Sequence, residues 1–129
     1  MKLKLLVLSM LAASNVYAAQ AVNVSAVAYQ AAGIANVNTM ATGSATYAIT
    51  NNASVAQSYT IDAYMCINNG HCTHYHDQFS LNSHQSVSHQ LTLYANATLS
   101  AGNYEDECTI QVTGAEQGYS KGTNSVVVR

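Results

Sequence analysis

The chain has 129 residues and a formal net charge of −2; 49% of it is hydrophobic and only 8% is charged. A chain that apolar and that short folds as one small domain and is not a disordered tail. So few cations leave no basic patch, which excludes nucleic acid and an anionic membrane surface as partners.

The N-terminus opens "MKLKLLVLSMLAASNVYA". Lys2 and Lys4 precede an apolar run over residues 5–13, and Val16 and Ala18 occupy the small-residue positions a signal peptidase reads. Residues 1–18 are therefore expected to be a cleaved secretory signal peptide, with the cut after Ala18 or Ala19. The run falls short of the roughly 20 residues a spanning helix needs, and no later stretch is apolar enough, so no membrane span is expected. The mature domain, residues 19–129, is expected to be secreted or periplasmic. It keeps Lys121 and Arg129 as its cations against Asp62, Asp77, Glu105, Asp106, Glu107 and Glu116.

Along the mature chain apolar residues recur with a period of two, the mark of half-buried strands. "AVNVSAVAY" (residues 21–29) is a first strand. Residues 30–43 read either as a long loop or as a strand kinked at Gly33. "GSATYAIT" sets Ala45, Tyr47 and Ile49 on one face, and "NNAS" then turns the chain. "SYTIDAYMCI" sets Tyr59, Ile61, Ala63, Met65 and Ile67 on one face. "NNG" is a turn signal, and "HCTHYHDQF" returns as the second arm of a hairpin. "QSVSHQLTLY" brings Val87, His89, Leu91 and Leu93 into phase, with His89 at the core edge and His84 in the turn before it. "GNYEDECTIQV" does the same for Tyr104, Cys108, Ile110 and Val112, and "TNSVVVR" is a final strand. About seven short strands with regular turn signals predict an all-β fold, an immunoglobulin-like antiparallel β-sandwich. With no proline in the chain, Gly and Asn must build its turns.

"LSAGNYEDECTIQVTG" (residues 99–114) resembles the penultimate-strand region of bacterial immunoglobulin-like and CARDB-like domains, where a Leu–small–Gly–x–Tyr run precedes an alternating strand. "ATYAITNNASVAQSYTIDAY" (residues 45–64) is similar to their region between the second and third strands. The chain lacks the tryptophan and the second-strand cysteine of antibody domains, so the resemblance implies the architecture and no particular function.

"CINNGHCTHYHDQF" (residues 66–79) concentrates the chemistry, with two of the three cysteines and three of the five histidines. A hairpin symmetric about Asn69 sets Cys66 opposite Cys72, Tyr64 opposite His74, and Asp62 opposite His76, all on the face turned away from Ile61, Ala63 and Met65. Two readings follow. In the first, Cys66 and Cys72 form a disulfide that clips the hairpin, which an oxidising compartment permits. Cys108 then stays buried as a small hydrophobe, and the histidines are exposed polar residues. In the second, His74 and His76, at i and i+2 on one face, grip zinc or copper, with Cys72, Asp62 or another histidine completing the shell. The two readings conflict at Cys72, because an oxidised sulfur is no thiolate. With that bridge formed, a metal would be left with His71, His74, His76 and Asp77. Were Cys108 to pair with Cys66 or Cys72 instead, a bulge would have to correct the strand parity. "EDE" at 105–107 is the natural place, since Asp106 otherwise faces the core. That triplet reads as a solvated strand entry and not as a calcium loop, because consecutive acids on a strand point to alternating faces.

No nucleophile elbow, phosphate loop or zinc-protease motif occurs, so no enzymatic activity and no resident cofactor are expected. The expected function is that of an exported surface module acting in binding, adhesion or fibre or oligomer formation. Its partner would be a protein or glycan, or a second copy engaged through the uncharged strand at residues 19–29. The alternative is a secreted or periplasmic zinc or copper protein using the histidine-rich hairpin at residues 71–77.

Overall fold

The computed structural model describes residues 22–30, 39–68 and 70–128. The signal peptide expected at residues 1–18, the first three residues of the 19–29 strand and the kink expected at Gly33 lie outside them. Seven strands follow in order: β1 (Val22–Gln30), β2 (Thr39–Thr50), β3 (Gln57–Ile67), β4 (His71–Leu81), β5 (Ser86–Ala97), β6 (Gly102–Gly114) and β7 (Gly118–Val128). All pairings are antiparallel and form two sheets, β1-β2-β5 and β4-β3-β6-β7. This is the expected β-sandwich. Antibody constant domains place their fourth strand with the first, second and fifth. Here β4 pairs β3 as a hairpin and belongs to the other sheet. Among the described residues no helix is long and apolar enough to cross a membrane.

The period-two pattern explains which face each strand buries. Ile61, Ala63, Met65 and Ile67 of β3 are fully buried, and Cys108, Ile110 and Val112 of β6 lie beside them. Ala45, Tyr47 and Ile49 of β2 meet these residues from the opposite sheet. Burying each of the larger side chains contributes about 1.5–3 kcal/mol. Tyr47, Phe79 and Tyr59 form a small aromatic cluster with 6.1 Å between successive ring centroids. His89, in phase with the core as expected, stays exposed and sets its ring 5.7 Å from that of Tyr47.

Two elements run longer than their sequence pattern. β2 begins at Thr39, so residues 39–43 of the undecided segment belong to it. β7 begins at Gly118, ahead of the expected "TNSVVVR". Gly118, Ser120 and Gly122 alternate on its inner face and leave room for β1 to lie close. The Ala26 amide donates to Ser120 Oγ at 3.2 Å, and a Cβ at Gly122 would run into the Ala26 carbonyl oxygen. The small residues thus bring the open edge of β1 against β7, which shields it from a foreign strand.

The β6 register runs unbroken against both neighbours, with Met65 opposite Cys108 and Ile67 opposite Asp106. There is no bulge at residues 105–107. Asp106 accordingly points into the sandwich, fully buried, and neither carboxylate oxygen has a partner among the described residues. Burial alone pushes its pKa up to about 6.

Candidate metal centre

The hairpin of β3 and β4 is symmetric about position 69. Ile67 pairs His71, Cys66 pairs Cys72, Tyr64 pairs His74 and Asp62 pairs His76. Asn68 takes a left-handed conformation (φ 51°), which asparagine tolerates well, and the Gly70 amide donates to the Ile67 carbonyl at 3.0 Å. The Asn68 amide donates to the Glu105 carbonyl at 2.8 Å, which ties the turn to β6. β3 is paired on both sides, so the residues facing out from it stand on a rigid floor.

Cys66 and Cys72 are joined in a disulfide with their Cα atoms 4.1 Å apart, and Cys108 is free and buried. Burial raises the pKa of its thiol. In this oxidised state Cys72 offers no thiolate, which removes it from the expected ligand set. The sheet supplies Asp62 in its place. His74 Nε2 and His76 Nδ1 each approach Asp62 Oδ1 at 2.8 Å. One oxygen atom of β3 therefore meets two imidazole nitrogens of β4. The three ligand atoms lie within 4.8 Å of one another, and no other such cluster of His, Cys, Asp and Glu occurs among the described residues. His71 and Asp77 stand outside it. Asp77 falls on the opposite strand parity, where it accepts the Gln78 amide at 2.9 Å.

The cluster sits on open sheet surface. The His74, His76 and Asp62 side chains are 41%, 50% and 31% exposed. Tyr64 lies flat against His74, with centroids 4.2 Å apart and planes within 2°. That stack fixes the ring plane of His74 and was not foreseen from the sequence, although the Tyr64–His74 register follows from the turn. The N–H donors of His76 and then His74 hold the Asp62 carboxyl below its usual range, against a smaller opposing effect of burial.

A carboxylate only accepts, so both facing nitrogens carry hydrogen in this state. For a metal to bind, each imidazole must present a lone pair there instead, which moves its proton to the solvent-facing nitrogen. Tetrahedral donors about 2.0–2.1 Å from an ion stand roughly 3.3 Å apart. Each Asp62–His contact then opens by about half an ångström, within the reach of exposed side chains. The protein supplies one hemisphere of ligands, and the outer hemisphere faces solvent.

No protein-family model matches the chain, and no curated protein matches it. Solved structures do align along its length. A protein from Archaeoglobus fulgidus is 9% identical with a TM-score of 0.41, over 81% of this chain and 95% of that one. A putative ApaA protein from Bordetella pertussis is 12% identical with a TM-score of 0.36, over 83% and 93%. Likeness at that level carries no functional argument, so the chemistry of the chain's own residues is the guide.

Proposed function

We propose that this is an exported β-sandwich module that binds a divalent transition metal, zinc or copper(II), through Asp62, His74 and His76. The observation that supports it is the convergence of two imidazole nitrogens on a single carboxylate oxygen, held by strand register and by the Tyr64 stack. Imidazole with carboxylate suits these ions, and copper(II) stands above zinc in the general order of divalent affinities. The module would bind its ion without transforming a substrate. Titration calorimetry on disulfide-intact protein at about pH 7.5 should give a dissociation constant tighter than about 100 μM for one of the two ions. His74→Ala/His76→Ala should abolish binding, and Asp62→Asn should weaken it. Binding should weaken on acidification, because protons compete with the metal for the imidazole lone pairs. Indistinguishable titrations of the wild type and the double variant would refute the reading.

A second reading is supported by the outer face of the β1-β2-β5 sheet. Its outward positions on the three strands carry hydroxyl, amide and small side chains, no charged residue, and the exposed Val27, Tyr29 and Tyr94. An uncharged, flat, tyrosine-bearing face suits a protein or glycan partner. Binding and adhesion, or self-association through residues 19–29, belong to this reading. So does descent from the CARDB-like domains that the chain resembles.

A further inference from the structure

The metal cluster is one row of a longer ladder. Along the outer face of the β3–β4 hairpin three cross-strand pairs follow one another: Asp62 with His76, Tyr64 with His74, and Cys66 with Cys72. His74 therefore has ligand-type neighbours on both sides. Toward the strand ends it meets Asp62, and toward the turn it stands two residues from Cys72, about 6.6 Å along the strand. Glu107 flanks Cys66 on β6, and its carboxylate is engaged by Lys121 at 2.8 Å, so the acid beside the cysteine pair is already neutralised.

We infer that the hairpin carries a second, thiol-gated metal site, in which reduced Cys66 and Cys72 together with His74 hold copper(I). The register carries the geometry. Two thiolates about 2.3 Å from one ion stand roughly 3.8 Å apart in a tetrahedral shell. Directly opposed strand residues have Cβ atoms about 4.5–5.5 Å apart, so both sulfurs reach one ion without moving the backbone. The β3–β4 ladder, which runs from Gln57 opposite Leu81 to Ile67 opposite His71, keeps the two cysteines opposed when the bridge is open. Thiolate selects soft ions such as copper(I), whereas the Asp62 row offers harder donors. The Asp62 row thus suits zinc or copper(II) and the cysteine pair copper(I), and the disulfide decides whether the second site is available.

Opening the bridge needs a dithiol reductant. One of its thiolates attacks the sulfur of the exposed Cys72, forming a mixed disulfide and releasing the Cys66 thiolate. The second reductant thiol then attacks that mixed disulfide and frees Cys72. Two electrons enter the protein, the reductant leaves as a disulfide, and both cysteines give up their protons on binding copper. His74 leaves both Asp62 and its stack on Tyr64 to join them. The inference shares only His74 with the site proposed above and stands or falls separately.

The test uses full-length mature protein, either disulfide-intact or reduced and freed of reductant without air. Copper(I) is offered as its coloured bicinchoninate complex in ascorbate, with thiol content checked by alkylation. Reduced protein should withdraw copper at least about tenfold more tightly than oxidised protein. Cys66→Ser/Cys72→Ser and His74→Ala should each lose that gain. Cys108→Ala, His76→Ala and Asp62→Asn should keep it, which excludes the core thiol and separates this site from the Asp62 row. Circular dichroism of the loaded protein should retain its strand signal. Equal uptake by oxidised and reduced protein would overturn the inference. So would uptake by an unfolded reduced chain with His74→Ala equal to the wild type.

Discussion

Asp62 and Asp106 belong to the same sheet, and their surroundings drive their acidities in opposite directions. Asp62 faces out and receives two imidazole donors, so its pKa falls; Asp106 faces in, receives none among the described residues, and rises to about 6. The linkage to stability is opposite in sign. The contribution of Asp62 is present above its unfolded pKa and is lost as pH falls through its depressed folded value. That of Asp106 is fully present below its unfolded value, about 3.9, and is lost as pH rises through about 6. Urea unfolding should therefore show the protein roughly 3 kcal/mol less stable at about pH 7.5 than the rest of its titration would leave it. Asp106→Asn should remove the loss between about pH 4 and pH 6. Parallel pH profiles for the wild type and this variant would show that the buried carboxyl is not the cause.

Strand existence and facing were legible because period-two alternation is strong in β3 and β6, where Ile61, Ala63, Met65, Ile110 and Val112 mark one face. The hairpin register was legible because a short Asn-Gly turn leaves little freedom, and it put Asp62, His74 and His76 on one face; the convergence of both imidazoles on Asp62 was not legible, since it depends on side-chain orientation. Two further features were not legible. The final strand was expected only over "TNSVVVR", because the small residues of "GYSKG" before it carry no apolar alternation, yet in β7 they make room for β1. Asn51 reads as one more turn residue in "NNAS", yet it is buried and joins two connections. Its Nδ2 donates to the carbonyls of Val55 at 2.9 Å and Leu81 at 3.0 Å, and its Oδ1 accepts the Ala53 amide at 2.9 Å. Its backbone amide donates to the Gln85 carbonyl, and its carbonyl accepts the His84 amide. The partners on the second connection are far away in sequence, so no local pattern announces them. Asn51→Ala leaves buried carbonyls unpaired and should cost about 2–4 kcal/mol in chemical denaturation. A loss under about 0.5 kcal/mol would mean that water replaces the side chain at no penalty.

As a whole the molecule presents two unlike faces, an uncharged face on the three-stranded sheet and the histidine-bearing hairpin on the four-stranded one. Self-association through residues 19–29 requires β1 to leave its pairing with β2 and its contact with β7, so it would take the form of strand exchange between copies. Light scattering after size exclusion should then find species above the monomer that disappear when residues 19–29 are deleted; a strictly monomeric chain at high concentration would count against it. The metal reading makes a sharper demand on the other face. Electron paramagnetic resonance of disulfide-intact protein with one equivalent of copper(II) at about pH 7.5 reports directly on bound nitrogen. The wild type should show superhyperfine coupling to two imidazole nitrogens, reduced to one in His76→Ala and absent in His74→Ala/His76→Ala. A wild-type spectrum of the free aqueous ion, or nitrogen coupling that survives in the double variant, would contradict the assignment of Asp62, His74 and His76 as the metal centre.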